Sequence, residues 1–417
     1  MRPGDAISIG DLRRMARRRL PKILFDLIES GVEDERGLLR NERAFHDHCL
    51  LPRYLVDVGN RDQGAELFGR RYASPFGIAP TGFAGLLRHG ADVMLAEAAK
   101  AANIPFILSG ASAASMEKIA AIAPDHAWCH LYAAKDRAIT NDLLGRARDC
   151  GLRTLVLTVD NPVYPKRERD MRNGFTLPLK LRLPILLEAL CHPAWIAEYL
   201  ASGGMPVMET WARYAPKGAT AEQVATFFRT QSPTIQTWRD MEVIRRDWPG
   251  QLVLKGIQHP DDAVRAEEIG VDGIVVSNHG GKAFDPLPSP LATLPAVRRA
   301  VRGRIAVMFD SGIRRGADVI IARCLGAQFV FVGRATLYGV VAGGEQGVAR
   351  AIEILRQEID LGLALVGCPN FQDLGPEYLI ASLAGSPSGQ ARAAVPAKTA
   401  PPRNTPRSPP NLFLVPS

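Results

Sequence analysis

The chain has 417 residues, 47% of them hydrophobic and 23% charged, which is typical of a large soluble α/β domain with a substantial core. Its net charge of +8 does not indicate nucleic-acid binding, because four basic residues and no acidic residue lie in the tail from Ser382 to Ser417. The tail is rich in Pro and Ser, and we expect it to be disordered beside a single domain that spans residues 1–381.

The N-terminal sequence and the cysteines indicate the compartment. Residues 1–22 contain no apolar signal region, and no stretch approaches the roughly 20 apolar residues that cross a bilayer. The six cysteines form no C-x-x-C pair, which is typical of isolated thiols in a reducing compartment. We therefore expect a cytoplasmic protein.

Residues 8–30 are predicted to be helical, because apolar side chains recur there at steps of three and four, and Gly31 is expected to end the segment. Short apolar runs then alternate with Ala-rich amphipathic patterns such as 92–102, 116–122 and 263–269. The runs are 76–79, 105–109, 127–132, 154–160, 252–256, 273–278, 305–310 and 329–333. Such alternation predicts a parallel sheet, and eight strands would close a (β/α)8 or TIM barrel. An open doubly wound sheet is the alternative, but no G-x-G-x-x-G follows the first strand.

A long insertion interrupts this pattern between the fourth and fifth strands, at about residues 161–250. It contains the apolar segments 184–190 and 195–200, and it is far longer than a crossover helix requires. An insertion after a barrel strand lies over the active-site face. We expect a lid that packs on the barrel, and a contact with a membrane or a quinone is the alternative.

Polar or glycine residues follow every predicted strand, and in a barrel these positions meet at one mouth, where catalysis takes place. A barrel without a site would not need charged groups there, because unpaired buried charges are costly. The residues at the strand ends are Pro80, Thr81 and Gly82; Ser109; His130 and Tyr132; Thr158 and Asp160, with Arg167 nearby; Lys255; Ser277 and His279; Asp310, Ser311 and Gly312; and Gly333 and Arg334.

The loops after the last two strands predict a phosphate site. Residues 310–314 and 333–334 combine glycines, which let backbone N–H groups approach a phosphate, with Arg314 and Arg334, which neutralise it. The simpler interpretation is two turns with solvated arginines. The ligand is expected to be a phosphorylated cofactor or substrate.

The charged residues of the other strands suggest redox or acid–base chemistry. His279 with Asp160 can act as a general base whose imidazolium form the carboxylate stabilises. Lys255 can stabilise negative charge on a redox ring, and Schiff-base chemistry at Lys255 is a second possibility that spacing does not exclude.

These motifs resemble those of the FMN-dependent 2-hydroxy acid dehydrogenases and oxidases, over roughly residues 8–380. The chain looks most like the mandelate and L-lactate dehydrogenase branch of that family. The matching segments are Leu20-Pro21-Lys22, Ala79-Pro80-Thr81-Gly82, Leu157-Thr158-Val159-Asp160, Arg167-Glu168-Arg169-Asp170, Leu254-Lys255-Gly256, Ser277-Asn278-His279-Gly280-Gly281, Asp310-Ser311-Gly312-Ile313-Arg314-Arg315-Gly316 and Gly333-Arg334-Ala335-Thr336-Leu337-Tyr338-Gly339.

The resemblance implies FMN as cofactor and oxidation of an L-2-hydroxy acid to the 2-keto acid, with electron-pair transfer to flavin N5 as hydride or through a carbanion. It makes His279 the base, Asp160 its partner, Tyr132 a substrate-side hydroxyl and Arg167 a carboxylate clamp. The residues expected to surround the flavin are Pro80, Thr81, Gly82, Ser109, His130, Thr158, Lys255 and Ser277 at the ring and upper ribityl chain, and Asp310, Ser311, Gly312, Arg314, Gly333 and Arg334 at the ribityl chain and phosphate.

Three positions depart from the family pattern. Lys282 replaces a second carboxylate-binding arginine and lacks its bidentate fork. Leu27 replaces a substrate-binding tyrosine, and His130 replaces a glutamine that contacts the flavin. Two other hypotheses follow: a flavin barrel enzyme acting on a substrate other than a hydroxy acid, such as an amine or a modified peptide, and a flavin-binding protein whose substrate site has decayed.

The insertion also suggests the electron acceptor. Basic residues outnumber acidic ones in 161–182, namely Lys166, Arg167, Arg169, Arg172, Lys180 and Arg182 against Glu168 and Asp170. The apolar segment that follows carries Trp195 and Tyr199, although Glu188 and Glu198 oppose a membrane contact. We expect a homo-oligomer that docks on the inner face of a membrane and reduces quinone. A soluble oxidase that uses O2 is the alternative.

Overall fold

The computed structural model describes residues 2–176, 179, 183–232 and 234–381. Eight parallel strands form a closed barrel in which each strand pairs with its neighbours in sequence. The last strand closes on the first through Val332 and Ile78. The TIM barrel predicted from the alternating runs is therefore confirmed. The strands are β1 Phe76–Ile78, β2 Phe106–Leu108, β3 Ala127–Leu131, β4 Thr154–Thr158, β5 Gln251–Lys255, β6 Gly273–Val276, β7 Ala306–Phe309 and β8 Phe329–Val332.

Helices surround the barrel and fill the insertion. They are α1 Ile9–Arg19, α2 Lys22–Glu29, α3 Arg36–His46, α4 Ala84–Leu87, α5 Ala91–Ala101, α6 Met116–Ile122, α7 Arg137–Asp149, α8 Glu168–Arg172, α9 Leu183–Ala189, α10 Pro193–Ala201, α11 Glu209–Ala212, α12 Ala221–Gln231, α13 Trp238–Asp247, α14 Pro260–Glu268, α15 Pro290–Val301, α16 Gly316–Cys324 and α17 Arg334–Val366, the last interrupted by non-helical Gly343 and Gly344. Three further strands lie outside the barrel, at His48–Leu50, Ala65–Leu67 and Arg70–Tyr72, and a fourth at Leu379–Ala381.

The N-terminal helical segment differs from its prediction. It forms two helices, because Leu20 adopts an extended conformation with ψ 140° before Pro21. The proline ring disfavours helical geometry in the preceding residue. The hydrophobic period continues across this break, which is why periodicity alone predicted one helix.

The barrel interior is filled by one face of the strands. Val156, Val253, Val275 and Met308 belong to a buried cluster with Trp128, as alternation along a strand requires. The antiparallel pair Ala65–Leu67 and Arg70–Tyr72 contributes to the same cluster, and Phe68 lies 5.6 Å from Trp128 between ring centroids. The interior is therefore a packed core, and a ligand can enter only at the mouth.

The residues that follow the strands lie at this mouth. The observed strands end one or two residues before the predicted runs, so that Tyr132, Asp160 and Ser277 follow the hydrogen-bonded ladder, and Asp310 follows β7 while its N–H still donates to the Val276 carbonyl at 3.2 Å. Their side chains are therefore held in place by a rigid sheet and project from its C-terminal edge. The predicted tail, 382–417, lies outside the described residues.

Candidate active site

A cavity of about 470 Å³ lies at the C-terminal mouth of the barrel. This volume falls in the usual range for small-molecule and cofactor sites. Most of the residues predicted from the strand ends line it. They are Pro80, Thr81, Gly82, Tyr132, Arg167, Lys255, His279, Lys282, Asp310, Ser311, Gly312, Arg314, Gly333 and Arg334.

Four other predicted residues, Ser109, His130, Thr158 and Ser277, are buried behind the cavity wall. The ring of His130 accepts a hydrogen bond from the Gly110 N–H at Nδ1 (3.1 Å), so Nε2 carries the proton that is donated to Thr158 Oγ1 (2.7 Å). Burial, with a smaller effect of Lys255, holds the pKa of His130 well below its usual value. His130 is therefore a neutral part of the wall.

Lys255 projects from the end of β5 into a polar cluster. Its ammonium lies 3.0 Å from Asp310 Oδ2 and donates to Ser277 Oγ at 3.0 Å. Burial works to lower the pKa of Lys255, but the charges of Asp310 and Asp160 outweigh it, and the pKa is raised. The cavity therefore has a permanent positive charge at this point.

His279 has a left-handed backbone, with φ 61°, which directs its ring away from the strand. Its N–H group donates to Ser277 Oγ at 3.0 Å, and its Nδ1 lies 3.1 Å from Asp160 Oδ1. Burial lowers the pKa of His279 below its usual value, although Asp160 acts in the opposite direction. The imidazole is therefore neutral near pH 7, in the form that accepts a proton.

Asp160 does not line the cavity, but it is placed to act through His279. Its side chain is 7% exposed, and Oδ2 has no hydrogen-bond partner among the described residues. Burial works to raise the pKa of Asp160, but His279 and Lys255 outweigh it and the pKa is lowered. The ionised carboxylate can therefore stabilise an imidazolium.

The predicted phosphate loops also line the cavity. Ser311 and Gly312 both have left-handed backbones, with φ 88° and 90°. A Cβ at Gly312 would lie 2.5 Å from the Asn41 carbonyl oxygen, so only glycine fits there. Gly333 precedes α17 without a side-chain cap, which leaves the first N–H groups of a long helix available to an anion.

The two predicted arginines differ in their contacts. The Arg314 guanidinium donates to Glu42 Oε1 at 2.9 Å. The Arg334 guanidinium donates to three carbonyl oxygens, those of Ile28 at 2.8 Å, Gly280 at 2.9 Å and Ser30 at 3.0 Å. Arg334 therefore connects α2 with the loop that carries His279, in addition to facing the cavity.

Leu27, Lys282 and Arg167 line one region of the cavity wall, and the first two are positions at which the sequence differs from what the resemblance implied. The Lys282 ammonium donates to the Leu27 carbonyl at 2.7 Å. Burial lowers the pKa of Lys282 well below its usual value, and the nearby charges of Arg334 and Arg167 add to the effect. Asp170 also lines this region, and burial raises its pKa.

The sequence analysis missed Asn161 and the apolar part of the cavity. Asn161 Nδ2 lies 3.1 Å from His279 Nδ1. The insertion contributes Tyr164, Phe175 and Phe228 to the lining, in agreement with its predicted place over the active-site face. The apolar residues of the insertion indicated burial. Their sequence did not indicate which of them would line the cavity.

Comparison with known proteins identifies the family. A family model described as "FMN-dependent dehydrogenase" matches residues 16–381. The chain belongs to this FMN-dependent dehydrogenase family. It is 38% identical to an (S)-mandelate dehydrogenase of Pseudomonas putida over 375 residues, which is 90% of this chain and 94% of the relative. It is 36% identical to an L-lactate dehydrogenase of Yersinia pestis (strain Pestoides F) over 375 residues, 90% and 98% of the two chains.

Solved structures agree with this family assignment. The crystal structure of the monotopic membrane protein (S)-mandelate dehydrogenase superposes with a TM-score of 0.87 at 36% identity, and the match covers 91% of this chain and 100% of that one. The predicted resemblance to the lactate and mandelate dehydrogenases is therefore confirmed, and this FMN-dependent dehydrogenase is an oxidoreductase.

FMN is the cofactor of the family, and the residues of this cavity fit it. The uncapped α17 N-terminus, the left-handed turn at Ser311–Gly312 and Arg314 suit the phosphate. The buried Lys255 ammonium suits the part of the cofactor on which negative charge develops.

Proposed function

We propose that this chain oxidises a small L-2-hydroxy acid to the corresponding 2-keto acid. The observation that carries the proposal is the pair of His279 and Asp160, with Nδ1 and Oδ1 3.1 Å apart, in which His279 lines the same cavity as Lys255 and Arg167. Relatives named for L-lactate and (S)-mandelate dehydrogenase activity support the substrate class.

The reaction converts a C–OH group to a C=O group, with loss of two protons and two electrons. His279 takes the first proton, from the hydroxyl group or from Cα, at Nε2, because Nδ1 is occupied by Asp160. The Asp160 carboxylate stabilises the imidazolium that results. FMN, when bound, supplies the acceptor for the electron pair and the remaining proton.

Other residues of the cavity bind and orient the substrate. Arg167 lines the cavity and is placed to bind the substrate carboxylate, with the Lys282 amine as a second hydrogen-bond donor. Lys255 supplies fixed positive charge, because the charges of Asp310 and Asp160 raise its pKa against the effect of burial. A protonated amine is not a nucleophile, which argues against the Schiff-base alternative.

The test is anaerobic reduction of the purified yellow protein by a panel of 2-hydroxy acids. We expect at least one L-2-hydroxy acid to bleach the flavin absorbance. His279→Ala should retain FMN and reduce it about 10²–10⁴ times more slowly, the usual effect of losing a general base. Bleaching by amines alone, or by none of the acids, would favour an enzyme of another substrate class or a decayed substrate site. Near-normal reduction by His279→Ala would contradict the assigned base.

We propose further that the insertion docks on an anionic membrane surface and that quinone accepts the electrons. Leu183, Leu187 and Leu190 are 68%, 58% and 66% exposed, while Ile185 and Ala189 on the intervening positions of α9 are buried. One side of α9 therefore packs and the other presents leucines, as in a helix that lies in a membrane interface.

The acidic and aromatic residues of the insertion do not oppose this proposal. Glu198 accepts a hydrogen bond from the His89 N–H at 2.9 Å and pairs with Arg19, and Glu188 accepts from the Lys22 N–H at 2.5 Å. Trp195 is buried and donates to the Leu86 carbonyl at 3.3 Å. These groups face the barrel and leave the leucines on the outer side.

The predicted basic run offers less unpaired positive charge to a membrane than its sequence indicated. Lys166 and Arg172 both pair with Glu168, and Arg169 pairs with Glu35. Lys180 and Arg182 lie outside the described residues. Among residues 2–176, 179, 183–232 and 234–381, no helix is long and apolar enough to cross a membrane. The proposal therefore rests on the leucines and on the relative named as a monotopic membrane protein.

A further inference from the structure

Asn161 contacts the same nitrogen of His279 as Asp160 does. The distances from His279 Nδ1 are 3.1 Å to Asp160 Oδ1 and 3.1 Å to the amide Nδ2 of Asn161. Both residues follow β4, whereas His279 follows β6. The Asn161 side chain also lines the cavity, but its Oδ1 is buried and has no hydrogen-bond partner among the described residues.

One ring nitrogen cannot donate a hydrogen bond to Asp160 and accept one from the Asn161 amide at the same time. If Nδ1 carries a proton it can donate to the Asp160 carboxylate, but it cannot accept from the Asn161 amide. If Nδ1 is unprotonated it accepts from Asn161, but its lone pair then faces the Asp160 carboxylate across 3.1 Å. The buried charge of Asp160 makes the second arrangement unfavourable.

Rotation of the Asn161 amide by 180° removes the conflict. The two ends of an amide are exchanged by this rotation, and the hydrogen-bond network decides which end faces a partner. Oδ1 of Asn161 then accepts from the Nδ1 proton alongside Asp160, and the amide NH2 group takes the buried position in which Oδ1 has no partner among the described residues.

We propose that Asn161 is a positioning residue for His279, which shares the Nδ1 proton with Asp160 and so keeps Nε2 as the atom that accepts the substrate proton. This inference rests on the proposed function, in which His279 is the base. Asn161 follows the end of β4 and belongs to none of the motifs that indicated the site. In this inference it acts through His279.

The charged groups around His279 already affect its basicity, and the Asn161 amide adds to their effect. Lys255 and Arg167 disfavour the imidazolium, the buried His130 is neutral, and Asp160 favours it. A second acceptor on Nδ1 therefore makes the imidazole more basic than Asp160 alone would. Removal of that acceptor should make the ring a weaker base.

The test is the pH profile of kcat/KM of the holoenzyme with the hydroxy acid found in the panel, which reports the base of the free enzyme. The base must be unprotonated, so the rate rises with pH through its pKa. Asn161→Leu, which is similar in size but has no acceptor, should move this rise down by about 0.5 to 1 pH unit. It should lower kcat roughly tenfold with little change in KM, because the ring loses one of its two anchors.

Asn161→Asp is the matched variant, because a carboxylate keeps the acceptor and adds charge. It should move the rise to higher pH, and thermal unfolding should be similar for all three proteins. If Asn161→Leu does not fold, Asn161→Ala repeats the measurement. An unchanged profile, or a rise at higher pH in Asn161→Leu, overturns the inference, since the latter means that the amide N–H donates to Nδ1.

Failure of the inference differs from failure of the proposed function. An inactive His279→Ala with an unshifted Asn161→Leu profile removes only the role of Asn161. A His279→Ala variant with normal turnover removes the base itself and the inference with it.

Discussion

Lys282 and Leu27 stand where the resemblance implied an arginine and a tyrosine, and they contact each other in the cavity wall. The ammonium of Lys282 is bound to a backbone carbonyl, that of Leu27, at 2.7 Å. The guanidinium groups of Arg167 and Arg334 oppose its charge, and burial acts in the same direction. At this position an arginine would stay charged at every relevant pH, whereas a lysine can lose its proton.

The substitution Lys282→Arg should therefore strengthen binding of substrate carboxylates, and more so at higher pH. The lowered pKa means that Lys282 loses charge as pH rises through that pKa, while arginine does not. We expect KM for the hydroxy acid to fall roughly tenfold at pH 8 and less at pH 6, as for one charge-assisted hydrogen bond. Steady-state kinetics at the two pH values measure this.

The control for this prediction is Lys118→Arg, which makes the same change at an exposed position outside the cavity. It should leave KM unchanged at both pH values. Equal KM values for Lys282→Arg and the unmodified enzyme at pH 8 would mean that Lys282 is already charged or does not contact the carboxylate.

The residues at the strand ends could be predicted because an apolar run has a visible end. Lys255 and Asp310 follow the apolar residues of β5 and β7, His279 comes three residues after β6, and a parallel barrel brings these ends together. Asn161 could not be predicted in this way. Its contact with His279 depends on how two loops that are distant in sequence approach each other, and no local pattern records that distance.

Among the elements, the strands were easier to predict than the helices of the insertion. Buried parallel strands are short, apolar and bounded by polar turns, so that all eight were located from the sequence. The apolar segments of the insertion correspond to α9 and α10, but α11, α12 and α13 were not predicted individually. The break between α1 and α2 had a signal in Pro21, which the continuous hydrophobic period outweighed.

Helix α10 is attached to the barrel by a small set of contacts, of which Glu198 makes several. It accepts from the His89 N–H at 2.9 Å, pairs with Arg19 and lies 3.9 Å from Arg88. Glu198→Ala removes the carboxylate that lies next to Arg19 and Arg88. We expect α10 to detach more often and limited proteolysis between residues 190 and 212 to be several-fold faster.

Glu222→Ala is the control, because Glu222 is an exposed acid on α12 of the same insertion. Its cleavage rate should match that of the unmodified protein. The same rate for Glu198→Ala and Glu222→Ala would show that α10 is held by its other contacts, such as that of the buried Trp195, whose ring N–H donates to the Leu86 carbonyl at 3.3 Å.

At the scale of the whole molecule, the closed barrel follows from the number of strands. The hydrophobic pattern also places one face of each strand inside, where the rings of Trp128 and Phe331 pack against each other. Which side of the insertion faces outward does not follow from composition. Trp195 and Leu187 are both apolar, yet one is buried against the barrel and the other is 58% exposed, because only packing decides which face of a helix is covered.

The exposed leucines of the insertion give the last prediction, which concerns attachment of the whole enzyme to a membrane. Leu187 and Leu190 are 58% and 66% exposed, and transfer of a leucine side chain into an apolar environment contributes about 1.5–3 kcal/mol. The double variant Leu187→Gln/Leu190→Gln should therefore reduce co-sedimentation with anionic vesicles at least tenfold. Turnover with a soluble dye should not change, because neither residue lines the cavity.

The matched control is Leu361→Gln/Leu365→Gln, which replaces two leucines of α17 that are 58% and 64% exposed. It should bind vesicles as the unmodified enzyme does, since the attraction is assigned to the insertion and not to exposed leucines in general. The reduced enzyme should react slowly with air and rapidly with a quinone analogue. Fast reoxidation by air with stoichiometric peroxide, and no vesicle binding by the unmodified enzyme, would instead identify a soluble oxidase. Leu187 and Leu190 would then have no role in membrane attachment.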